Sequence, residues 1–233
     1  MIFFSKSWDE ECTLISLAGI LTGIFAVYVF PLPILTPRGD VVQLLIFNIV
    51  CAAVTMLWVL WMFNVSNPPG KLAKKLGIAV PDRKCLIHTI SILPLLLTGI
   101  AAITMHWKYT LNKLEFPFEE QQQILKQISF DSALQVSLLI LLVVIIVPVL
   151  EEIIFRRILF DLFERSTGAN AAAFLSAGIF SAAHGFIAGA PALFMMGLFF
   201  QWIYSRNRNL SCAIILHGLC NLFAVTVMVL SKR

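Results

Sequence analysis

At 233 residues, with 59% hydrophobic and 13% charged residues and a mean hydropathy of +0.90, the chain is too apolar for an ordinary soluble domain. Its formal net charge is only +4, and the basic residues sit in loops between apolar runs, which suits membrane orientation and argues against nucleic-acid binding. Apolar runs of eighteen or more residues recur, each able to cross a hydrocarbon core about 30 Å thick. The expected class is therefore all-α, a polytopic membrane helical bundle of about seven spans. One domain covers residues 1–233, with residues 1–130 holding the N-terminal spans and a polar connection, and 131–230 holding the motifs described below.

Met1–Glu11 is a short mixed-charge piece with Trp8 placed as an interfacial anchor. No small-residue cleavage site follows the first apolar run, so that run is expected to stay as span one, Thr13–Leu35. Pro31, Pro33, Pro37 and the turn Arg38-Gly39-Asp40 end it. Span two is expected over Val41–Phe63, and Asn67-Pro68-Pro69-Gly70 breaks the chain after it. Span three follows over Leu86–Met105, softly interrupted by Pro94, and Trp107–Phe130 is a long polar stretch whose Glu119–Ser129 part reads as an interfacial helix.

Span four starts near Asp131 and runs to Phe163, with a kink expected at Pro148 that frees backbone carbonyls near the two glutamates. Arg165–Asn170 is a turn, followed by span five (Ala171–Ile187), span six (Pro191–Tyr204), the loop Ser205–Asn209 and span seven (Leu210–Leu230). Spans five and six are rich in Ala, Gly and Ser, which lets helices approach closely. The basic residues Lys71, Lys74, Lys75, Arg83 and Lys84, the Arg156–Arg165 region, and Arg206 with Arg208 fall on one side by alternation. The positive-inside rule makes that side cytoplasmic, and the site is expected to open towards it in a prokaryotic inner membrane. Lys108, Lys113, Lys126 and Lys232-Arg233 fall on the other side. Cys12, Cys51, Cys85, Cys212 and Cys220 show no CxxC spacing, so they read as small buried hydrophobes and not as a disulfide framework or a zinc site.

The chemistry concentrates behind the apolar run Ala133–Leu150, in Glu151-Glu152-Ile153-Ile154-Phe155-Arg156. Adjacent carboxylates at membrane depth are costly unless partnered or used. Glu152 and Arg156 are four apart and share a helix face, so they can pair, whereas Glu151 points about 100° away. His184 closes Phe180-Ser181-Ala182-Ala183-His184, and His217 opens His217-Gly218-Leu219-Cys220-Asn221, so Phe180 shares a face with His184 and Asn221 with His217. At 1.5 Å per residue, Glu151 lies roughly 20 Å of helix from its turn, His184 roughly 20–25 Å from its own, and His217 roughly 12–15 Å, so one shared layer is allowed. His88 and His106, at the ends of span three, read as interfacial.

A carboxylate beside a histidine can take a proton from water and make it a nucleophile. A second histidine with an asparagine amide offers donors to the oxyanion of a tetrahedral intermediate. Together these make a water-activating amide hydrolase inside a membrane. No serine, cysteine or aspartate has a comparable setting, since Ser181 lies near His184 but no acid in that span orients the histidine. A zinc site built from His184, His217 and Glu151 is the competing chemistry, although no HExxH is present. Two non-hydrolytic alternatives stand beside these: a membrane partner or immunity protein whose polar cluster only holds helices together, and a proton-coupled transporter, which lacks the expected repeats.

E-E-x-x-x-R, F-x-x-x-H and H-x-x-x-N, in this order on successive apolar helices, resemble the CAAX protease and bacteriocin-processing (Abi) family of intramembrane proteases. The resemblance covers Ser132–Leu230, and the first three spans carry no such motif. It implies a glutamic protease without an essential metal, in which Glu151 is the general base and His184 positions the water. It further implies His217 and Asn221 as oxyanion donors, with Glu152, Arg156 and Phe180 supporting the site. The implied substrates are membrane-associated proteins or peptides, including prenylated ones, met at the lipid bilayer.

Overall fold

The structure is a computed structural model, and it describes residues 41–65, 72–119 and 132–231. Span one, Trp8, Cys12, the Arg38–Asp40 turn, the Asn67–Gly70 breaker and nearly all of the Glu119–Ser129 helix lie outside the described residues. Every regular element among the described residues is helical: α1 (Val41–Val65), α2 (Leu72–Leu76), α3 (Arg83–Lys113), α4 (the continuous rod Ala133–Thr167), α5 (Ala169–Ala183), α6 (Ala190–Asn207) and α7 (Leu210–Ser231). Five of these are long and apolar enough to cross a membrane, and α5 is a shorter apolar helix between them.

The helix ends follow from local chemistry. Asp82 caps α3 by accepting from the Cys85 N–H at 2.7 Å, and Ser132 caps α4 by accepting from the Gln135 N–H at 3.4 Å. The expected end of span three at Met105 is overrun, because α3 continues to Lys113. Nothing between His106 and Lys113 breaks a helix, and the Trp107 indole donates to the Ile187 carbonyl at 2.9 Å, which holds this last part of α3 against the chain entering α6. Span five ends early, at Ala183, because Gly185 takes a left-handed φ of 57° that breaks the helix at His184. The expected loop Ser205–Asn209 shrinks in turn, since α6 runs to Asn207 and Arg208 alone turns the chain in the left-handed region.

Pro148 produces more than a simple kink. The rod α4 is π-helical over Leu141–Ile146 and again over Ile153–Leu159, on either side of the short α-helical segment Val147–Glu152 that carries both glutamates. In the first π segment the Val147 N–H bonds to the Leu142 carbonyl, five residues back. The next residue in that register is Pro148, which has no N–H to give the Val143 carbonyl.

Packing brings the C-terminal helices around this segment. Helix α1 lies against the first half of α4, α5 against its last turns, and α7 between α3, α6 and the first π segment. Helices α5 and α6 touch at Ala177 and Gly197, where a Cβ on the glycine would fall 2.9 Å from the Ala177 Cβ. The side chains of Leu150, Ile153, Ile154, Phe155, Phe180, Phe200 and Leu216 fill the centre.

The basic turns gather at one end, as expected from alternation. The Asn209 amide both accepts from the Ala79 N–H and donates to the Ala79 carbonyl, and the Leu210 N–H donates to the Gly77 carbonyl. At this same end Cys85 of α3 and Cys212 of α7 form a disulfide, with Cα atoms 6.3 Å apart. This corrects the reading of all cysteines as lone hydrophobes. The pair is 127 residues apart in sequence and is brought together only by helix packing, so no local spacing announces it. Cys51 and Cys220 remain thiols.

Candidate active site

Both glutamates project from α4 into the packed centre and are almost wholly enclosed, with Glu151 2% exposed and Glu152 0%. Glu152 uses both of its oxygens. Oε2 accepts from Nε of Arg156 at 2.9 Å, the i,i+4 pair expected from the sequence, and Oε1 lies 2.9 Å from Nδ1 of His217. A carboxylate can only accept there, so Nδ1 of His217 carries the proton. The other ring nitrogen, Nε2, lies 3.5 Å from Oε2 of Glu151. His217 therefore bridges the two acids, and Glu152 does more than neutralise Arg156.

The aromatic walls fix these groups. Phe200 stacks on the His217 ring at a centroid distance of 4.7 Å, and Phe180 meets it edge-on at 5.9 Å. The guanidinium of Arg156, itself 0% exposed, sits 4.7 Å from the Phe180 ring centre and 5.6 Å from that of Phe200. Among the described residues its two terminal nitrogens have no hydrogen-bond partner, and the phenyl faces and Glu152 together hold the charge.

His184 also packs against Phe180, with ring centroids 4.7 Å apart. Its Nδ1 bonds to the Phe180 carbonyl at 2.8 Å, and because a carbonyl only accepts, neutral His184 presents Nε2 as an acceptor. Partly exposed where α5 ends, it stands at the turn on the end of the bundle away from the basic loops. Phe180, expected only to share a face with His184, is thus the common wall of both histidines and Arg156.

Asn221 lies one turn beyond His217, but its amide is already in use. Nδ2 donates at 2.7 Å to the Val143 carbonyl, the group that Pro148 leaves without a backbone donor. This fulfils the expectation of freed carbonyls near the site, and it ties α7 to the π segment of α4. The same face of α7 carries Gly218, where a Cβ would fall 2.8 Å from the Val144 carbonyl oxygen, so the two backbones meet with no room for a side chain. On the other side of the glutamates Ser176 of α5 donates at 2.7 Å to the Phe155 carbonyl in the second π segment. Phe200, Gly218 and Ser176 were not singled out from the sequence. Ser176 and Gly218 are small residues in apolar helices and carried a faint signal of close contact, whereas Phe200 is one of 19 phenylalanines and carried none.

The set His184, His217 and Glu151 does not form a metal-holding group: among the described residues no three His, Cys, Asp or Glu side chains converge in that way. The arrangement instead offers an enclosed acid–imidazole pair beside a second imidazole with a defined acceptor, which is suited to moving a proton to and from a small polar molecule.

Comparison with known proteins places this centre. Residues 133–223 match the family of type II CAAX prenyl endopeptidases, Rce1-like. The membrane-embedded CAAX protease MroQ of Staphylococcus aureus (strain USA300) is 35% identical over 107 residues, which are 43% of this chain and 43% of that protein. The putative membrane peptidase YdiL of Bacillus subtilis (strain 168) is 32% identical over 99 residues, 42% of this chain and 41% of the other. The chain thus spans less than half the length of these curated relatives. No solved structure matches. The matched stretch contains α4 to α6 and the part of α7 that bears His217 and Asn221, so the likeness to the CAAX prenyl endopeptidases lies in the part of the chain that carries both glutamates and both histidines.

Proposed function

We propose that this protein is an intramembrane endopeptidase of glutamic type, hydrolysing peptide bonds in membrane-associated or lipid-modified proteins or peptides. The observation that carries the reading is the buried sequence of contacts Glu151–His217–Glu152–Arg156, with His184 across Phe180. A structural cluster needs only the neutralised pair Glu152–Arg156. A second acid facing an imidazole at 3.5 Å costs desolvation that helix packing does not require. The relatives named as a CAAX protease and a putative membrane peptidase support the same class.

In this reading a water molecule sits between Glu151 and His184. Nε2 of His184 accepts one of its hydrogens and orients it, while the Glu151 carboxylate takes the other proton as the oxygen attacks the peptide carbonyl. The carbonyl π electrons move to oxygen, and the resulting oxyanion is met by His217 and by the Asn221 amide, whose second N–H is not needed for Val143. Glu151 then returns its proton to the leaving amine, and the C–N bond breaks. To donate to that oxyanion, His217 carries a proton on Nε2 as well as on the Nδ1 that faces Glu152. No step calls on a metal, and elemental analysis of active, detergent-purified protein tests that part: stoichiometric zinc would replace this mechanism with a Lewis-acid one.

The basic end, with Arg83, Lys84, Arg206 and Arg208, is proposed as the cytoplasmic face of a prokaryotic inner membrane. The decisive experiment compares N- and C-terminal peptides from membranes of cells expressing wild type or Glu151→Gln at matched abundance. Termini that vanish only in the variant identify both activity and substrate. Identical termini, with the variant stable and biologically competent, would assign the cluster to a non-catalytic partner or immunity role.

A further inference from the structure

At the basic end, away from the glutamates, a cavity of about 430 Å³ opens between the start of α3 and the α6–α7 turn. Lys84, His88, Arg206 and Asn209 line it together with Asp82. The charges there are not mutually satisfied. Asp82 turns Oδ1 onto the Cys85 N–H as the cap of α3, and neither Lys84 nor Arg206 forms an ion pair among the described residues. Nδ1 of His88 is buried and has no hydrogen-bond partner among the described residues. The walls are fixed, because Asn209 is clamped to Ala79 on both sides of its amide and the Cys85–Cys212 disulfide joins the two helices.

Next to this polar cavity the surface is apolar. Ile87 and Ile90 of α3 are 53% and 61% exposed, and Trp202 of α6, 43% exposed, carries the Arg206 guanidinium 5.5 Å from its ring centre. A tryptophan and an arginine so placed mark the level of the lipid headgroups. Two cations around a polar pocket, at headgroup depth and beside a lipid-facing apolar strip, match a molecule with a phosphate at one end and hydrocarbon at the other. We propose that this cavity binds the phosphate of an anionic phospholipid, with Lys84 and Arg206 donating to the phosphate oxygens and the acyl chains lying along Ile87 and Ile90. The N-termini of α3 and α7, both at this end, add to the positive potential.

The test uses the full chain, purified in a neutral detergent and phosphate-free buffer, with native mass spectrometry and thermal unfolding as readouts. Phosphatidylglycerol should remain bound and raise the unfolding midpoint, and phosphatidylcholine, which carries the same phosphate but no net charge, should do neither. The variant Lys84→Gln/Arg206→Gln should unfold at the wild-type temperature without lipid, since both side chains are exposed. It should retain phosphatidylglycerol more weakly, by roughly fivefold for each cation removed, whereas Lys113→Gln at the other end of α3 should bind as wild type does. Inorganic phosphate reproducing the whole stabilisation, and losing it in the double variant, would keep the anion site but assign it to free phosphate. Equal binding of phosphatidylglycerol by wild type and the double variant would overturn the proposal. The readouts do not involve proteolysis, so this site stands or falls independently of the proposed activity.

Discussion

Nδ1 of His217 lies 2.9 Å from Oε1 of Glu152, a contact between helices 65 residues apart in sequence. That one bond sets the tautomer of the imidazole and aims Nε2 at Glu151, so the geometry of the proposed base depends on a residue that makes no contact with substrate in the proposed mechanism. It also makes Glu152 a hydrogen-bonded link between Arg156 and His217, with one oxygen on each.

The two adjacent acids should therefore separate in their effects. Glu152→Ala removes the carboxylate from a guanidinium that is 0% exposed, and breaking a buried pair from one side costs about 3–5 kcal/mol. A large drop in the unfolding midpoint in detergent is expected, with loss of activity as a consequence. Glu151→Gln keeps shape and hydrogen-bonding capacity, so its midpoint should stay near wild type while proteolysis disappears. Equal destabilisation by both variants would contradict the separate roles.

Gly218→Ala should act through the backbone. The added Cβ would fall 2.8 Å from the Val144 carbonyl oxygen, and that atom belongs to the π segment and cannot turn aside as a flexible side chain would. Overpacking of this kind costs about 1–3 kcal/mol, and relief requires α7 to move away from α4. Since His217 is the preceding residue, kcat should fall more than stability alone explains. A variant as active as wild type would show that this close approach is not needed.

How much of this was legible in the sequence depended on the range of the interaction. The Glu152–Arg156 pair follows from i,i+4 spacing alone, and the disturbance at Pro148 follows from a missing N–H. Glu151, His184 and His217 could be nominated because ionisable groups in apolar helices are conspicuous. The partner of His217 was not legible, since Glu151 and Glu152 lie about 100° apart on α4 and only the packing of α7 decides which meets which nitrogen. Asn221 was read as an oxyanion donor without the carbonyl it actually meets, because that carbonyl becomes available only in a π register that hydropathy does not reveal. The early end of α5 was misplaced for a smaller reason. Gly185 reads equally well as a small packing residue, which fits span five's Ala-rich pattern, and as the left-handed stop that it proves to be.

Asn221 offers a sharper test for that reason. Its Nδ2 bond to Val143 stabilises the bundle by about 1 kcal/mol if it resembles other interhelical bonds in membrane proteins. Removal of an oxyanion donor lowers kcat by about 10²–10³-fold. Asn221→Ala should therefore lower the midpoint modestly and kcat strongly, with little change in KM. A change in the midpoint alone, with kcat retained, would limit Asn221 to fastening α7 against the π segment.

The disulfide yields a prediction that bears on orientation as well as stability. Cys85 and Cys212 join α3 to α7 at the basic end, five residues before His217. Protein unfolded in detergent without reductant should take up two more thiol-reactive labels after reduction, and Cys85→Ser or Cys212→Ser should each abolish that gain. Because the bond closes a separation of 127 residues, reduction should lower the midpoint, within the about 2–4 kcal/mol typical of such links. The orientation proposed above puts this end in the cytoplasm, where thiols are held reduced, so the bond and that proposal pull in opposite directions. Trapping thiols in intact cells with a permeant reagent resolves the tension. Labels blocked at Cys85 and Cys212 in growing cells mean that the pair is oxidised in place; full labelling means that the link forms only outside the reducing compartment, and that packing and the hydrogen bonds of Asn209 and Leu210 hold this end together in the cell.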